Sequence, residues 1–369
     1  MKGLPTRSIF LRIPVVACAA ILLLLAGVRV ATMAQAGTAP AAAAAQSAVA
    51  SAGAGVSAAP AAGRNSVGQT TNAQKADDVK PGGGSVPADV PRIKVGINEV
   101  NVVFTVTDKH GKRVTDLKQG DFRVFDDNKP AAEIRSFHSE TNLPLQVGLL
   151  IDASSSVRDR FKFEQESAIE FLNQTVRRGY DKAFVVGFDV TPEVTQDFTD
   201  DTEALARGVR ELRPGGGTAL YDALFYACRD KLLKEPQNGP TRRAIILLSD
   251  GEDNQSHVTR EEAIEMAQRA AAIVYTISTN VSGTKGPGDK VLERIADATG
   301  GRAFFPFQLN DVTNAFAEIQ DELRSQYDMS YKPADFKADG HFRTIEIVAI
   351  DRKNYRVRSR RGWYAPTAQ

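Results

Sequence analysis

Three short stretches carry oxygen ligands in a pattern that could hold a metal ion: Asp152-Ala153-Ser154-Ser155-Ser156, Gly215-Gly216-Gly217-Thr218 and Ser249-Asp250-Gly251. Asp152, Ser154, Ser156, Thr218 and Asp250 together supply two carboxylates and three hydroxyls. These are hard donors, suited to an octahedral Mg²⁺ or Mn²⁺ that keeps part of its water shell. Each residue alone also has a plainer reading. Ser154 or Ser156 could cap a helix, Thr218 could cap a helix beginning near Ala219, and Asp250 could open a turn before Gly251. Jointly the plain readings are weaker. Asp152 ends an apolar run, and a buried carboxylate there needs a cation or several hydroxyl donors.

The elements around these stretches place them on one edge. Leu145 to Ile151, Phe184 to Phe188, Ala244 to Leu248 and Ile273 to Ile277 are short apolar runs of the kind buried in a parallel sheet. Longer amphipathic stretches alternate with them: Phe161 to Val176, Ala219 to Leu233, Arg260 to Ala272, Lys290 to Ala298 and Asp311 to Leu323. Strands alternating with helices imply right-handed βαβ units, and so a doubly wound, mostly parallel α/β sheet over 143–327. Ligands of such sheets bind beyond the carboxyl ends of the strands, where the oxygen-bearing loops fall.

The flanks are different. Val102, Phe104 and Val106 alternate with Val103, Thr105 and Thr107, a period of two that predicts a strand. Phe122, Val124, Phe125, Ile134 and Phe137 extend a β-rich segment over 93–142 that is short for a core of its own. Phe342 to Ile350 and Tyr355 to Tyr364 are extended runs near the other end. We therefore expect residues 328–369 to pair with 93–142 in a small β-sandwich-like domain into which the α/β domain is inserted.

Before these, residues 37–92 read as a linker, since 14 of the 27 residues from Gly37 to Gly63 are Ala and no large apolar side chain is present there. Residues 1–36 read as a signal peptide. Lys2, Arg7 and Arg12 precede the apolar run Ile13 to Val28, and Ala34-Gln35-Ala36 offers small residues for cleavage. That run has 16 residues, short of the roughly 20 that span a bilayer, so an uncleaved membrane anchor is the second choice. The protein is expected outside the cytoplasm: periplasmic, surface-bound or secreted.

Charge and cysteine content exclude several classes. With 46 Lys plus Arg against 45 Asp plus Glu, the chain is not basic throughout, which argues against a nucleic-acid binder. Two Cys, at 18 and 228, exclude a disulfide scaffold and a cysteine-rich zinc module. The charge is uneven, however. Residues 143–327 hold 21 basic and 29 acidic residues, whereas Asp351 to Arg361 holds six basic and one acidic. Arg356, Arg358 and Arg360 would share one strand face, which could bind an anionic polymer or envelope surface or simply be solvated. No phosphate loop, Gly-x-Ser-x-Gly elbow or His-Glu-x-x-His pair occurs. His257 stands four residues after Asp253, and it could serve a second metal or a Ser156 hydrolase, although an exposed loop histidine is the simpler reading.

The order of the five oxygen ligands resembles a von Willebrand factor A domain with a metal-ion-dependent adhesion site. Asp-x-Ser-x-Ser falls on Asp152, Ser154 and Ser156, the loop threonine on Thr218 and the strand-end aspartate on Asp250. Val194 to Thr199 and Gly216 to Ala223 also resemble family sequence, and the whole layout resembles the secreted bacterial VWFA-related proteins. The resemblance implies non-enzymatic adhesion through Mg²⁺ or Mn²⁺. Ser154, Ser156 and Thr218 would bind the ion directly, and Asp152 and Asp250 often through water. An Asp or Glu carboxylate of a protein partner would take the remaining position. Glu252 and Asp253, just beyond Asp250, would be solvated or shape specificity.

Overall fold

The computed structural model describes residues 98–139, 143–236, 241–280, 282–350 and 354–367. The expected signal peptide and linker lie outside the described residues. In chain order the strands β1 (Val100–Thr107), β2 (Phe122–Asp126), β3 (Lys129–Pro130) and β4 (Glu133–His138) come first. They are followed by β5 (Leu145–Asp152), α1 (Phe161–Thr175), β6 (Lys182–Phe188), β7 (Pro192–Thr199), α2 (Thr202–Glu211) and α3 (Leu220–Tyr226). Next are β8 (Arg242–Ser249), α4 (Arg260–Arg269), β9 (Ala272–Ser278), α5 (Pro287–Thr299), β10 (Ala303–Phe304) and α6 (Leu309–Leu323). The last strands are β11 (Tyr327–Lys332), β12 (Phe342–Ala349), β13 (Arg356–Ser359) and β14 (Gly362–Tyr364).

The fold class is the one the apolar runs predict. Six strands form one sheet in the order β10-β9-β8-β5-β6-β7, parallel throughout except at β6 and β7. Central β5 is buried at all eight positions, so both of its faces must be covered by helices. Alternate side chains divide cleanly between them. Val147, Leu149 and Ile151 face α1, α2 and α6, while Leu150 joins Phe184, Ile245 and Leu247 against α3, α4 and α5. Gly148 makes the second face possible, because a Cβ there would lie 2.4 Å from the Phe184 ring and 2.6 Å from Ile245.

Three departures from the sequence reading concern weak patterns. Edge strand β7 and helix α2 were not marked by the apolar runs, since β7 is only partly buried along its length. The helix expected from Ala219 to Leu233 is α-helical only to Tyr226 and then π-helical from Ala227 to Leu232. Tyr355 to Tyr364 is not one strand but two, β13 and β14, which belong to different sheets.

Those two sheets are four-stranded, in the orders β13-β1-β11-β4 and β14-β12-β2-β3, with antiparallel pairing throughout. Each combines strands from both ends of the chain. They share one core that includes Val102, Phe104, Phe122, Val124, Tyr327, Met329, Ile345, Ile347 and Trp363. Buried Asp126 on β2 pins the two sheets together: its Oδ2 accepts from the Tyr331 hydroxyl at 2.7 Å and from the Trp363 indole N–H at 2.8 Å. Glu322 on α6 ties this body to the α/β sheet in the same way. It accepts hydrogen bonds from Thr105 on β1, Tyr275 on β9 and Arg358 on β13.

Replacing Asp126 by Ala leaves a buried phenol and a buried indole without an acceptor. At about 1–3 kcal/mol per unsatisfied group, the variant is expected to lose roughly 2–6 kcal/mol, read as a lower urea midpoint with unchanged slope.

Candidate functional site

The carboxyl edge of the six-stranded sheet brings the three loops into contact. Asp152 ends β5, with Ala153 N–H donating to the Phe188 carbonyl at the end of β6. The loop after α2 is laid over it by two backbone bonds: Gly215 N–H donates to Ala153 O at 2.7 Å, and Ser155 N–H to Gly216 O at 3.3 Å. From the other side Asp250 follows β8. Gly251 adopts φ +81°, and a Cβ on it would lie 2.2 Å from the Gly288 carbonyl at the start of α5. This close approach fixes where Asp250 stands.

Four of the five sequence-selected residues are joined in a continuous chain of hydrogen bonds. Asp152 Oδ1 accepts from Ser154 N–H at 2.9 Å, and its Oδ2 accepts from the Ser249 hydroxyl at 2.6 Å. Ser156 Oγ donates to Asp250 Oδ2 at 2.8 Å. Ser154 and Ser156 hydroxyls are 2.9 Å apart, and since Ser156 gives its proton to Asp250, Ser154 is the donor between them. Asp152 and Ser154 are buried, whereas Ser156 is exposed and Asp250 partly so. The cluster thus has a dry floor and an open rim. Thr218 is buried in the adjoining loop, held through its backbone: its N–H donates to Asn254 Oδ1 and its carbonyl accepts from Asn254 and Gln255 N–H.

The plain capping roles are not realised. Ser154 stands at the cap position of a short 3₁₀ turn without a side-chain cap bond, and the cap position of α3 is Ala219, not Thr218. Asp250 does open a turn, with Oδ1 accepting from Glu252 N–H at 3.1 Å, but its second oxygen faces Ser156.

Burial and like charge act on the same groups. Burial is the main cause that pushes the Asp152 carboxyl up to about 6; the Ser249 and Ser154 donors oppose it, and Asp250 adds to it. A divalent cation would balance the charge of such a pair. The donor set of two carboxylates and three hydroxyls fits a hard ion, which would replace internal hydrogen bonds with coordination. Among the described residues no three carboxylates, imidazoles or thiolates converge as a ligand group, so hydroxyl oxygens are essential to any such site.

Other sequence candidates fall elsewhere. His257 does not pair with Asp253, because residues 250–258 form an irregular loop and helical spacing does not apply. Its Nδ1 lies 2.9 Å from Asp222 Oδ2, while Asp253 accepts from Ser256 and from Tyr221 N–H. The three arginines near the C-terminus do not form one free basic face. Arg356 is exposed on β13, but Arg358 pairs with Glu322 and the Gly300 carbonyl, and Arg360, beyond the strand, donates to the Gln268 and Asn101 carbonyls. Cys228 is buried and free, and burial pushes its thiol up to about 12. Sequence reading missed Ser249, Asn254 and Gln255. Ser249 is the last residue of β8 beside Asp250, so it had a positional signal; Asn254 and Gln255 had none.

Residues 147–252 match the family model described as von Willebrand factor type A domain, and all five oxygen-bearing residues lie inside that range. Over that range the chain is thus similar to a von Willebrand factor A domain. Among curated proteins it is similar to calcium-activated chloride channel regulator 1 of Bos taurus, at 30% identity over 180 residues. That match covers 47% of this chain and spans 19% of the relative's length. Similar solved structures include the PilB minor pilin of Streptococcus sanguinis, at 15% identity, TM-score 0.41, covering 50% of this chain and 62% of that one. The vWF domain of the type V pili tip protein Mfa5 from Porphyromonas gingivalis is 17% identical, with TM-score 0.40 and coverage of 49% and 95%. Proximal thread matrix protein 1 of the mussel byssus, with a zinc-occupied MIDAS motif, is 17% identical, with TM-score 0.43 and coverage of 54% and 49%.

The raised Asp152 carboxyl has a signed consequence for the metal-free protein. Between about pH 4 and 6 the folded domain holds a proton that the unfolded chain releases, so stability falls as pH rises, by up to about 3 kcal/mol. Asp152→Asn lacks this loss. The difference in melting temperature, variant minus wild type, is expected to widen as metal-free buffer is taken from pH 4 to 6.5; a constant difference would remove the buried-charge account.

Proposed function

We propose that this is an exported, non-enzymatic binding protein whose vWA domain engages a protein partner through a divalent cation. Asp152, Ser154, Ser156, Thr218 and Asp250 hold Mg²⁺ or Mn²⁺, and an Asp or Glu carboxylate from the partner completes the coordination. The observation that carries this reading is the linked set Asp152, Ser154, Ser156 and Asp250, buried at one end and open at the other. A buried carboxylate floor attracts the ion, and an exposed rim admits an external anion. Hydroxyl ligands leave the ion more of its charge than further carboxylates would, which favours capture of that anion.

Binding without turnover is supported by the surroundings of Ser156. Its hydroxyl donates to a carboxylate, Asp250, while His257 is 87% exposed and faces Asp222. His257 is thus engaged with Asp222 and makes no hydrogen bond to Ser156. Export rests on the basic and apolar segments of residues 1–36. Among the described residues no helix is long and apolar enough to cross a membrane.

Mg²⁺ or Mn²⁺ is expected to raise the melting temperature of the wild-type protein, since at 100 times Kd a native-state ligand contributes about 2.7 kcal/mol. Asp152→Ala and Asp250→Ala should show much smaller shifts. Equal shifts in wild type and variants would overturn the site assignment. Capture of partners from surface or secreted material should require Mg²⁺ and be reversed by EDTA; capture that EDTA leaves intact but salt disrupts would favour an anionic surface instead.

A further inference from the structure

Thr218 differs from the other four members of the proposed metal site in how it is placed. Asp152, Ser154, Ser156 and Asp250 are joined to one another by hydrogen bonds, whereas the Thr218 hydroxyl makes none among the described residues. Only its backbone is held. The Thr218 N–H donates to Asn254 Oδ1 at 3.0 Å, and its carbonyl accepts from Asn254 N–H at 3.0 Å and from Gln255 N–H at 3.1 Å. Asn254 thus meets both polar groups of the Thr218 main chain. Such support matters to a hydroxyl ligand, because metal affinity depends on what orients a ligand as well as on the ligand itself.

The chain around this contact is arranged to permit it. Gly217, immediately before Thr218, leaves the space that the amide occupies: a Cβ there would lie 2.7 Å from Asn254 Oδ1 and 2.7 Å from Gln255 Cγ. Gly216, one residue earlier, accepts through its carbonyl from both the N–H and the hydroxyl of Ser155, which stands between Ser154 and Ser156. The loop that carries Asn254 is in turn fastened to the first turn of α3. Asp253 Oδ2 accepts from Tyr221 N–H at 3.1 Å, and Asp222 Oδ1 accepts from the N–H groups of His257 and Val258 at 2.9 Å. Asn254 is itself exposed, yet its Oδ1 reaches the N–H of a buried residue. That loop begins at Asp250, so one short segment sets the places of two members of the site that are distant along the chain.

We propose that Asn254 is a positioning residue of the cation site: by holding the Thr218 main chain, it keeps the Thr218 hydroxyl in reach of an ion bound by Asp152, Ser154, Ser156 and Asp250. This rests on the metal-site reading above. Asn254 does not touch the ion. It acts through Thr218, and its effect therefore disappears when the Thr218 hydroxyl is removed.

Calorimetric titration with Mn²⁺ and amide hydrogen exchange of the metal-free protein, both on the full chain, test this. Asn254→Ala is expected to raise the Mn²⁺ Kd about tenfold, as for other residues that act through the ligands. Without metal, its Thr218 amide should exchange faster than in the wild type. Asn254→Asp, which keeps the acceptor oxygen, should restore both properties when compared at high salt, where its added exposed charge is screened. In a Thr218→Val background, Asn254→Ala should cost no more than about twofold further, because residues that act through one another are not additive. If Asn254→Ala does not fold, Asn254→Ser, whose hydroxyl is too short to replace the amide, carries the same expectation. Undiminished Mn²⁺ binding by Asn254→Ala, or an equal loss with and without the Thr218 hydroxyl, overturns this proposal alone. A wild type that binds no Mn²⁺ overturns the metal-site reading and this proposal with it.

Discussion

The Asp152 carboxylate sits where water hardly reaches, at the end of a strand buried on both faces, and the carboxyl edge of the sheet is organised around it. An ionised group in that position is tolerated only if donors or a cation compensate it. Ser154 N–H and the Ser249 hydroxyl supply two donors, and Ser154 also begins the relay through Ser156 to Asp250. The second carboxylate then raises the need for positive charge instead of relieving it.

This constraint accounts for much of the surrounding backbone. Asp250 can stand opposite Ser156 only because Gly251 and Gly288 let two chain segments approach to a distance no Cβ would permit. The glycine loop at 215–217 is bonded to Ala153 and Ser155, and Thr218, the next residue, is buried in that loop. Under the loop, Arg160 reaches to carbonyls beyond β9 and β10, so the first turn of α1 is fixed to the neighbouring loops. Rigid support of this kind allows a like-charged cluster to persist without collapsing or swelling.

Legibility in the sequence followed the strength of local patterns. Buried strands β5, β6, β8 and β9 appear as apolar runs because both faces are covered, and β1 shows a period of two because one face is. Edge strand β7 has neither pattern, since it is partly buried on both sides and its place is decided by pairing with β6. The alternation of Arg356, Arg358 and Arg360 with Val357 and Ser359 hid the break between β13 and β14, where the chain leaves one sheet for the other at Arg360 and Arg361. The basic run there looked like a surface feature, yet Arg358 and Arg360 have internal partners.

By itself the sequence determined the alternation of strands and helices, the α/β class that follows from it, and the five oxygen-bearing residues with their order along the chain. Those depend on side-chain type and short-range periodicity, which a linear string preserves. The tertiary structure alone decided that Ser249 braces Asp152, that His257 turns to Asp222, that β13 and β14 join different sheets, and that Glu164 is buried on α1 with no hydrogen-bond donor among the described residues. Each of these is a contact between residues distant along the chain or an outcome of burial. Burial and distant contacts are properties of the packed chain, set by which surfaces meet and what water they exclude, and no local spacing encodes them.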